Sequence, residues 1–275
     1  MKKITGRSAF LSILQSEGVT HLFGNPGTTE LPIMHALKEY PDIKYILGLQ
    51  EAIVVAMADG YSRATGKLSA CNVHVAPGLG NAMGAIYNAK FVGSPIIITA
   101  GQQEQGHGLM EPMLYGPLVR MAEPLVKWAT EVNRLEDLPR IMRRAAKIAL
   151  SPPTGPVFIS LPGDILNKEA KIDLGKSTRV IDTYRPSHNS IELIAKKISK
   201  YKKPVIIAGH EVATSGAFKE ITMFAEYTGS AVYQQTVPHG SHYPSEHMAF
   251  MGTLPRLQKP TKNILENYDL LICVG

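Results

Sequence analysis

Two rhythms of apolar and polar positions alternate along the chain. Short runs rich in β-branched residues occupy 19–23, 43–47, 68–75, 95–100 and 156–161. Their length suits strands, and the unbroken Ile96-Ile97-Ile98 run suits a strand covered on both faces of a parallel sheet. Longer segments between them carry helical character. One helix is expected from Thr28 or Thr29 with Glu30 in its first turn, one over 51–63, one from Pro77-Gly78 to about 91, and one over 135–150. The second is apolar at nearly every position from Ala52 to Ala58, the pattern of a helix buried on all sides. The stretch 101–126 is rich in Gly and Met and lacks periodicity, so it reads as a long functional loop. Alternating strand and helix imply an α/β fold with a mostly parallel sheet between helical layers.

The pattern then changes. Residues 167–188 are poorer in apolar positions and carry scattered charge, which reads as a linker between one domain at 1–166 and another at 189–275. In the second, helices are expected at 190–200 and about 216–228, with strands at 205–208 and 231–235. The last apolar run, 269–274, is a strand running into Gly275 with no following helix, so the second domain is expected to be incomplete and the chain part of a longer protein.

Composition narrows the class. The 275 residues are 44% hydrophobic and 19% charged, as in a globular protein with a substantial core. The formal net charge of +6 is spread out. Its densest cluster, Lys196, Lys197, Lys200, Lys202 and Lys203, has no interleaved aromatics and reads as a helix face and C-terminus, so no nucleic-acid partner is expected. Cys71 and Cys273 both sit in apolar runs that read as buried strands, with no CxxC pair to suggest zinc or a disulfide framework. The apolar run 9–14 is too short for a signal peptide and no stretch is long enough to span a bilayer, so the expected location is cytoplasmic, away from membranes.

Four loops fall where strands end and helices begin, the edge at which open α/β sheets bind ligands. They contribute Asn25 and Thr28; Glu51; His74 and Asn81; and Gln102, Gln103, His107 and Glu111. Glu51 opens a helix and is flanked by Leu47, Leu49, Ile53 and Val54. It is either an ordinary acid favoured by the helix dipole or a carboxyl group in an apolar pocket, able to hold or share a proton. His74 is either a structural hydrogen-bonder at a strand end or a proton carrier. Gly78, Gly80 and Gly84 approximate a dinucleotide fingerprint, but 98–101 (Ile-Thr-Ala-Gly) lacks the acid that nicotinamide binding needs.

Taken together, the loops are more specific. The runs 22–32 (Leu-Phe-Gly-Asn-Pro-Gly-Thr-Thr-Glu-Leu-Pro), Gln50-Glu51-Ala52 and 58–66 (Ala-Asp-Gly-Tyr-Ser-Arg-Ala-Thr-Gly) resemble thiamine-diphosphate-dependent enzymes of the 2-oxo-acid decarboxylase and acetolactate synthase family. Asn72-Val73-His74, 78–84 and 99–103 are most similar to the benzoylformate decarboxylases, and the likeness runs on through 155–162, 203–209 and 245–252. The resemblance implies that 1–166 is a parallel-sheet domain binding the cofactor's pyrimidine end, and that 189–275 is a partial Rossmann-like middle domain. A third domain would hold the diphosphate through Mg2+ with a Gly-Asp-Gly motif, which this sequence lacks. No metal ligands are therefore expected in this chain, and the fragment is expected to be inactive alone. The resemblance further implies a homodimer or homotetramer acting on a small 2-oxo acid. Glu51 would share a proton with the pyrimidine, and Asn25, Pro26, Gly27, Gly78 and Asn81 would line its pocket. Thr28 would sit near the substrate carboxylate, where the decarboxylase pattern has serine. His74 would relay protons, with His107 a further substrate-side candidate. An acetolactate synthase-like carboligase is the alternative, since Pro77-Gly78 is shared with that pattern. A non-catalytic α/β module and a nicotinamide oxidoreductase are the more distant ones.

Overall fold

The computed structural model describes residues 3–180 and 184–275. The chain divides into two compact units, Met1–Asp182 and Thr183–Gly275. The first contains β1 (Ile4–Thr5), α1 (Gly6–Ser16), β2 (His21–Gly24), α2 (Leu31–Ala36), β3 (Lys44–Leu47), α3 (Glu51–Thr65), β4 (Ser69–Val73) and α4 (Val75–Val92). It continues with β5 (Ile96–Gln102), α5 (Leu118–Ala122), β6 (Ala129–Glu131), α6 (Leu138–Leu150), β7 (Val157–Pro162), α7 (Gly163–Asn167) and β8 (Glu169–Ala170). Six strands form one sheet in the order β3-β2-β4-β5-β7-β6, and every pairing in it is parallel.

Side-chain alternation divides the interior into two layers. Leu22, Ala70, Ile97, Ile159 and Leu161 point to one face and pack with Phe10, Ile13 and Leu14 of α1 and with Met142, Ala145 and Ala149 of α6. Phe23, Cys71, Val73, Ile96, Ile98 and Phe158 point to the other and pack with Val54, Val55 and Ala58 of α3 and Leu79, Ala82 and Ile86 of α4. A glycine just past the end of each of these last two helices, Gly66 at φ +66° and Gly93 at φ +76°, adopts the left-handed conformation that closes a helix.

Several expectations change in three dimensions. Helix α3 is not buried all round: Ile53 is 52% exposed and Ala56 is also at the surface, because the sheet covers only one side of it. The helix expected after Pro77-Gly78 begins at Val75, with Pro77 inside its first turn, where a missing N–H costs no hydrogen bond. Within 101–126, strand β5 runs on to Gln102 and a short helix, α5, forms. Residues 167–180 are laid along the first unit: β8 pairs antiparallel with β1, and Ile172 joins the core. The rest of the expected linker includes 181–183, which lie outside the described residues.

A buried charge holds this last segment. The Glu17 carboxylate accepts from Arg143 Nη1 and Arg179 Nη1 at 2.5 Å each and from Ser177 Oγ at 3.0 Å. Arg143 also donates to the carbonyls of Leu174 and Gly175.

The second unit contains α8 (His188–Ile198), β9 (Pro204–Ala208), α9 (His210–Thr214), α10 (Phe218–Thr228), β10 (Ala231–Gln234), β11 (Phe250–Thr253), α11 (Gln258–Leu265) and β12 (Leu270–Val274). Its four strands are all parallel, in the order β11-β10-β9-β12. That is the order of the first four strands of a dinucleotide-binding sheet. Ile206, Val232, Ile221 and Ala225 form its core. Cys273 lies exposed on the edge strand β12, unlike Cys71, which is fully buried and whose thiol pKa burial pushes up. Among the described residues no helix is long and apolar enough to cross a membrane.

Replacing Glu17 with Ala leaves Arg143 and Arg179 without their shared carboxylate. Because Glu17 and Arg143 are largely buried while Arg179 is half-exposed, the expected loss is about 2–4 kcal/mol, read by urea denaturation.

Candidate active site

Strands β2, β4 and β5 end side by side, and the loops that leave them bring two carboxylates together with polar partners. The first is Glu51. It is 6% exposed and is the first residue of α3. It does not cap that helix. The Gln50 side chain does, accepting from Ala52 N at 2.7 Å and Ile53 N at 3.3 Å. Glu51 is thereby left to the site, where Asn25 Nδ2 donates to Oε1 at 3.1 Å and Asn81 Nδ2 to Oε2 at 3.0 Å. One amide comes from the loop after β2 and the other from the early turns of α4, and together they fix the plane of the carboxyl group. Gly78 lets α4 come close enough for this: a Cβ there would lie 3.1 Å from Glu51 Oε1 and 3.3 Å from its Cγ.

The glycine pattern therefore serves close packing. Because α4 begins at Val75, Gly78, Gly80 and Gly84 lie inside the helix, and Gly78 N already donates to the His74 carbonyl at 2.8 Å. They do not form the loop of free amides that a dinucleotide phosphate needs.

The second carboxylate, Glu30, is completely buried. Oε1 accepts from Gly101 N and Thr29 Oγ1, both at 2.8 Å, and Oε2 accepts from Gly27 N at 2.9 Å. The fourth position, on Oε2, is taken by His74 Nδ1 at 2.7 Å. Backbone N–H groups can only donate, so both oxygens of Glu30 serve as acceptors. An Oε2 that already accepts from Gly27 N calls for a donor at His74 Nδ1, which places the ring's lone pair on Nε2. The His74 side chain is 22% exposed, so the ring edge remains reachable. Gly27 lies flat against it: a Cβ at Gly27 would come within 2.2 Å of Cε1 and Nδ1.

The structure thus joins Asn25, Glu51, Gly78 and Asn81 in one group, and Gly27, Glu30 and His74 in another. Pro26 lies on the loop between Asn25 and Gly27. Thr28 is exposed at the start of a short 3-10 turn, and its neighbour Thr29 supplies the hydroxyl bonded to Glu30. His107 is exposed in a further 3-10 turn, His107–Met110, and no hydrogen bond joins its side chain to either carboxylate. Sequence reasoning placed Glu30 only as a helix-start acid. Its one signal was its place three residues after Gly27 in the first of the four loops. Among the described residues no group of three or more His, Cys, Asp or Glu is arranged to hold a metal ion.

Known proteins share these features. The family model for the thiamine pyrophosphate enzyme N-terminal TPP-binding domain matches residues 4–113, and that for the central domain matches 191–275. Benzoylformate decarboxylase of Pseudomonas aeruginosa is 34% identical over 275 residues, covering 98% of this chain and 52% of that protein. An acetolactate synthase large subunit of Buchnera aphidicola is 30% identical, covering the whole chain and 49% of that protein. The solved thiamine diphosphate-dependent 4-hydroxybenzoylformate decarboxylase of Rhodococcus jostii superposes with a TM-score of 0.92 at 34% identity, covering 99% of this chain and 52% of that one. The chain spans about half the length of the relatives it matches. With both domain models in sequence order and a buried, amide-held Glu51 where the first strands end, this chain belongs to the thiamine pyrophosphate enzyme family, of which it carries the N-terminal and central domains.

Proposed function

We propose that the chain is the pyrimidine-binding and middle part of an enzyme that decarboxylates a small 2-oxo acid, in the manner of a benzoylformate decarboxylase. The observation that carries the reading is the Glu51 carboxyl group, withdrawn from water and held by Asn25 and Asn81 rather than used as a helix cap. Residues 1–166 act as the pyrimidine-binding domain and 189–275 as the middle one. The cofactor's diphosphate and its Mg2+ are met by a further domain, in keeping with the chain's covering about half of its relatives.

The site's residues fit the cofactor's aminopyrimidine. Glu51 offers a carboxyl oxygen to a ring nitrogen at a place where two amides prevent it from turning away, and Gly78 leaves no side chain between them. Asn25, Pro26, Gly27, Gly78 and Asn81 line the pocket. When bound, thiamine diphosphate supplies the carbon nucleophile and the electron sink on which loss of carbon dioxide depends. Glu51 holds and returns a proton at the pyrimidine nitrogen. His74, with its Nδ1 committed to Glu30, moves a proton to or from the reacting carbon or its oxygen through Nε2. The exposed Thr28 hydroxyl orients the substrate carboxylate, and His107 lies on the same edge as a second substrate-side group.

The Glu30–His74 pair favours decarboxylation over an acetolactate synthase-like ligation, because it is built to deliver a proton. The apolar residues Leu49 and Ile53 near Glu51 in the chain, and Tyr87 on α4, all more than half exposed, support assembly as a homodimer or a homotetramer made from such dimers. Two cysteines free of any disulfide, Cys71 and Cys273, support a cytoplasmic setting.

Glu51→Gln in the intact enzyme is expected to slow hydrogen–deuterium exchange at the thiazolium C2 at least a hundredfold, measured by quenched-flow NMR. A wild-type exchange rate would remove Glu51 from cofactor activation. Glu30→Gln loses the charge beside His74 Nδ1 and sets an amide N–H2 against a backbone N–H donor. It is expected to lower kcat at least tenfold, as read by steady-state kinetics on enzyme saturated with cofactor.

A further inference from the structure

The two halves of the site are joined through a single strained residue. Strand β4 ends at Val73 and α4 begins at Val75, so only His74 separates extended from helical backbone. His74 itself is extended, with φ −89° and ψ 104°. Val75 absorbs the change of direction at φ +41°, a left-handed conformation that a β-branched side chain strongly resists. It is completely buried, and the chain on either side of it is fixed. Gly78 N donates to the His74 carbonyl, and Ala76 Cβ packs where a side chain at Gly116 would otherwise lie. Strain of this kind survives only where the surroundings over-determine the conformation.

Immediately before this turn stands His74, whose ring is aimed back across the strand ends at Glu30 and packed against Gly27. Immediately after it the first turns of α4 carry Gly78 and Asn81 to Glu51. We propose that Val75 is a positioning residue: its buried side chain clamps the left-handed turn, and the turn fixes the His74 imidazole on Glu30 while α4 meets Glu51. A residue that tolerated this backbone without strain would also permit others, and the ring would lose its single orientation. The inference deepens the proposed role of His74, but its structural part stands without that role.

The test has an arm for each. The His74 Nδ1 proton, held by a buried carboxylate, is expected as a low-field, slowly exchanging resonance in 15N-edited NMR of the 275-residue chain. Its assignment is confirmed by its loss in His74→Ala. Val75→Gly accepts the left-handed turn but removes the clamp, and Val75→Ala keeps the backbone cost but removes the packing. In whichever variant retains the wild-type circular dichroism, the resonance is expected to broaden or exchange at least tenfold faster. A resonance unchanged in a folded variant, or absent from the wild type, overturns the proposal.

In the intact enzyme, Val75→Gly is expected to lower kcat about tenfold with little change in KM, and to cause no further loss on a His74→Ala background. Additive losses would mean that Val75 acts on general stability and would overturn the proposal. If His74→Ala leaves kcat unchanged while Val75→Gly still releases the resonance, the positioning stands and the proton-transfer reading of His74 falls.

Discussion

Burying the charge of Glu30 is the constraint on which the site depends. A carboxylate taken fully out of water must have its oxygens occupied, and here four donors reach it from the ends of three neighbouring strands. The loop after β2 provides Gly27 and Thr29, the end of β4 provides His74, and β5 provides Gly101. No donor can be withdrawn without leaving part of a buried charge exposed to an apolar interior. The ends of three neighbouring strands are therefore tied to one point, and the geometry of the whole edge follows from it.

The glycines at that edge follow from the same constraint. Gly101 must bring its backbone to Glu30, and a Cβ there would lie 2.1 Å from Oε1. Gly27 must let the imidazole lie against the main chain, and Gly78 must let α4 approach Glu51. Such glycines resemble a phosphate-binding loop when read along the chain, because both uses require main chain without a side chain. Only the position of the helix start distinguishes them. At Gly78, Gly80 and Gly84 helix α4 begins before the glycines and takes them inside it, whereas the amides of Gly27 and Gly101 donate to Glu30.

The two carboxylates differ in how they are held, and the difference suits two kinds of work. Glu30 is saturated by donors, which makes it a fixed anchor for His74. Glu51 has one amide on each oxygen and keeps a lone pair on each, the arrangement on which its proposed proton exchange rests. The apolar residues Leu49 and Ile53 beside it remain uncovered within this chain.

The sequence by itself determined the alternation of strands and helices, the parallel sheet, the loops at its carboxyl edge, and the place of Asn25, Glu51, His74 and Asn81 at or beside those loops. These are local properties: periodicity sets the element, and the element's end sets the loop. Other features were decided only by tertiary structure. The segment 167–180 looked like a linker because its few apolar residues are widely spaced, yet Glu17 and Ile172 hold it to the first unit through partners more than a hundred residues away. Helix α3 looked buried on all sides because hydrophobicity along a chain does not say how many faces a neighbour covers. Glu30 looked like a helix-start acid because its donors, Gly101 and His74, are distant in sequence and meet it only when β4 and β5 lie side by side. Whether an acid at a helix start serves the helix or a site is a matter of long-range hydrogen bonds, and those exist only once the strands are in register.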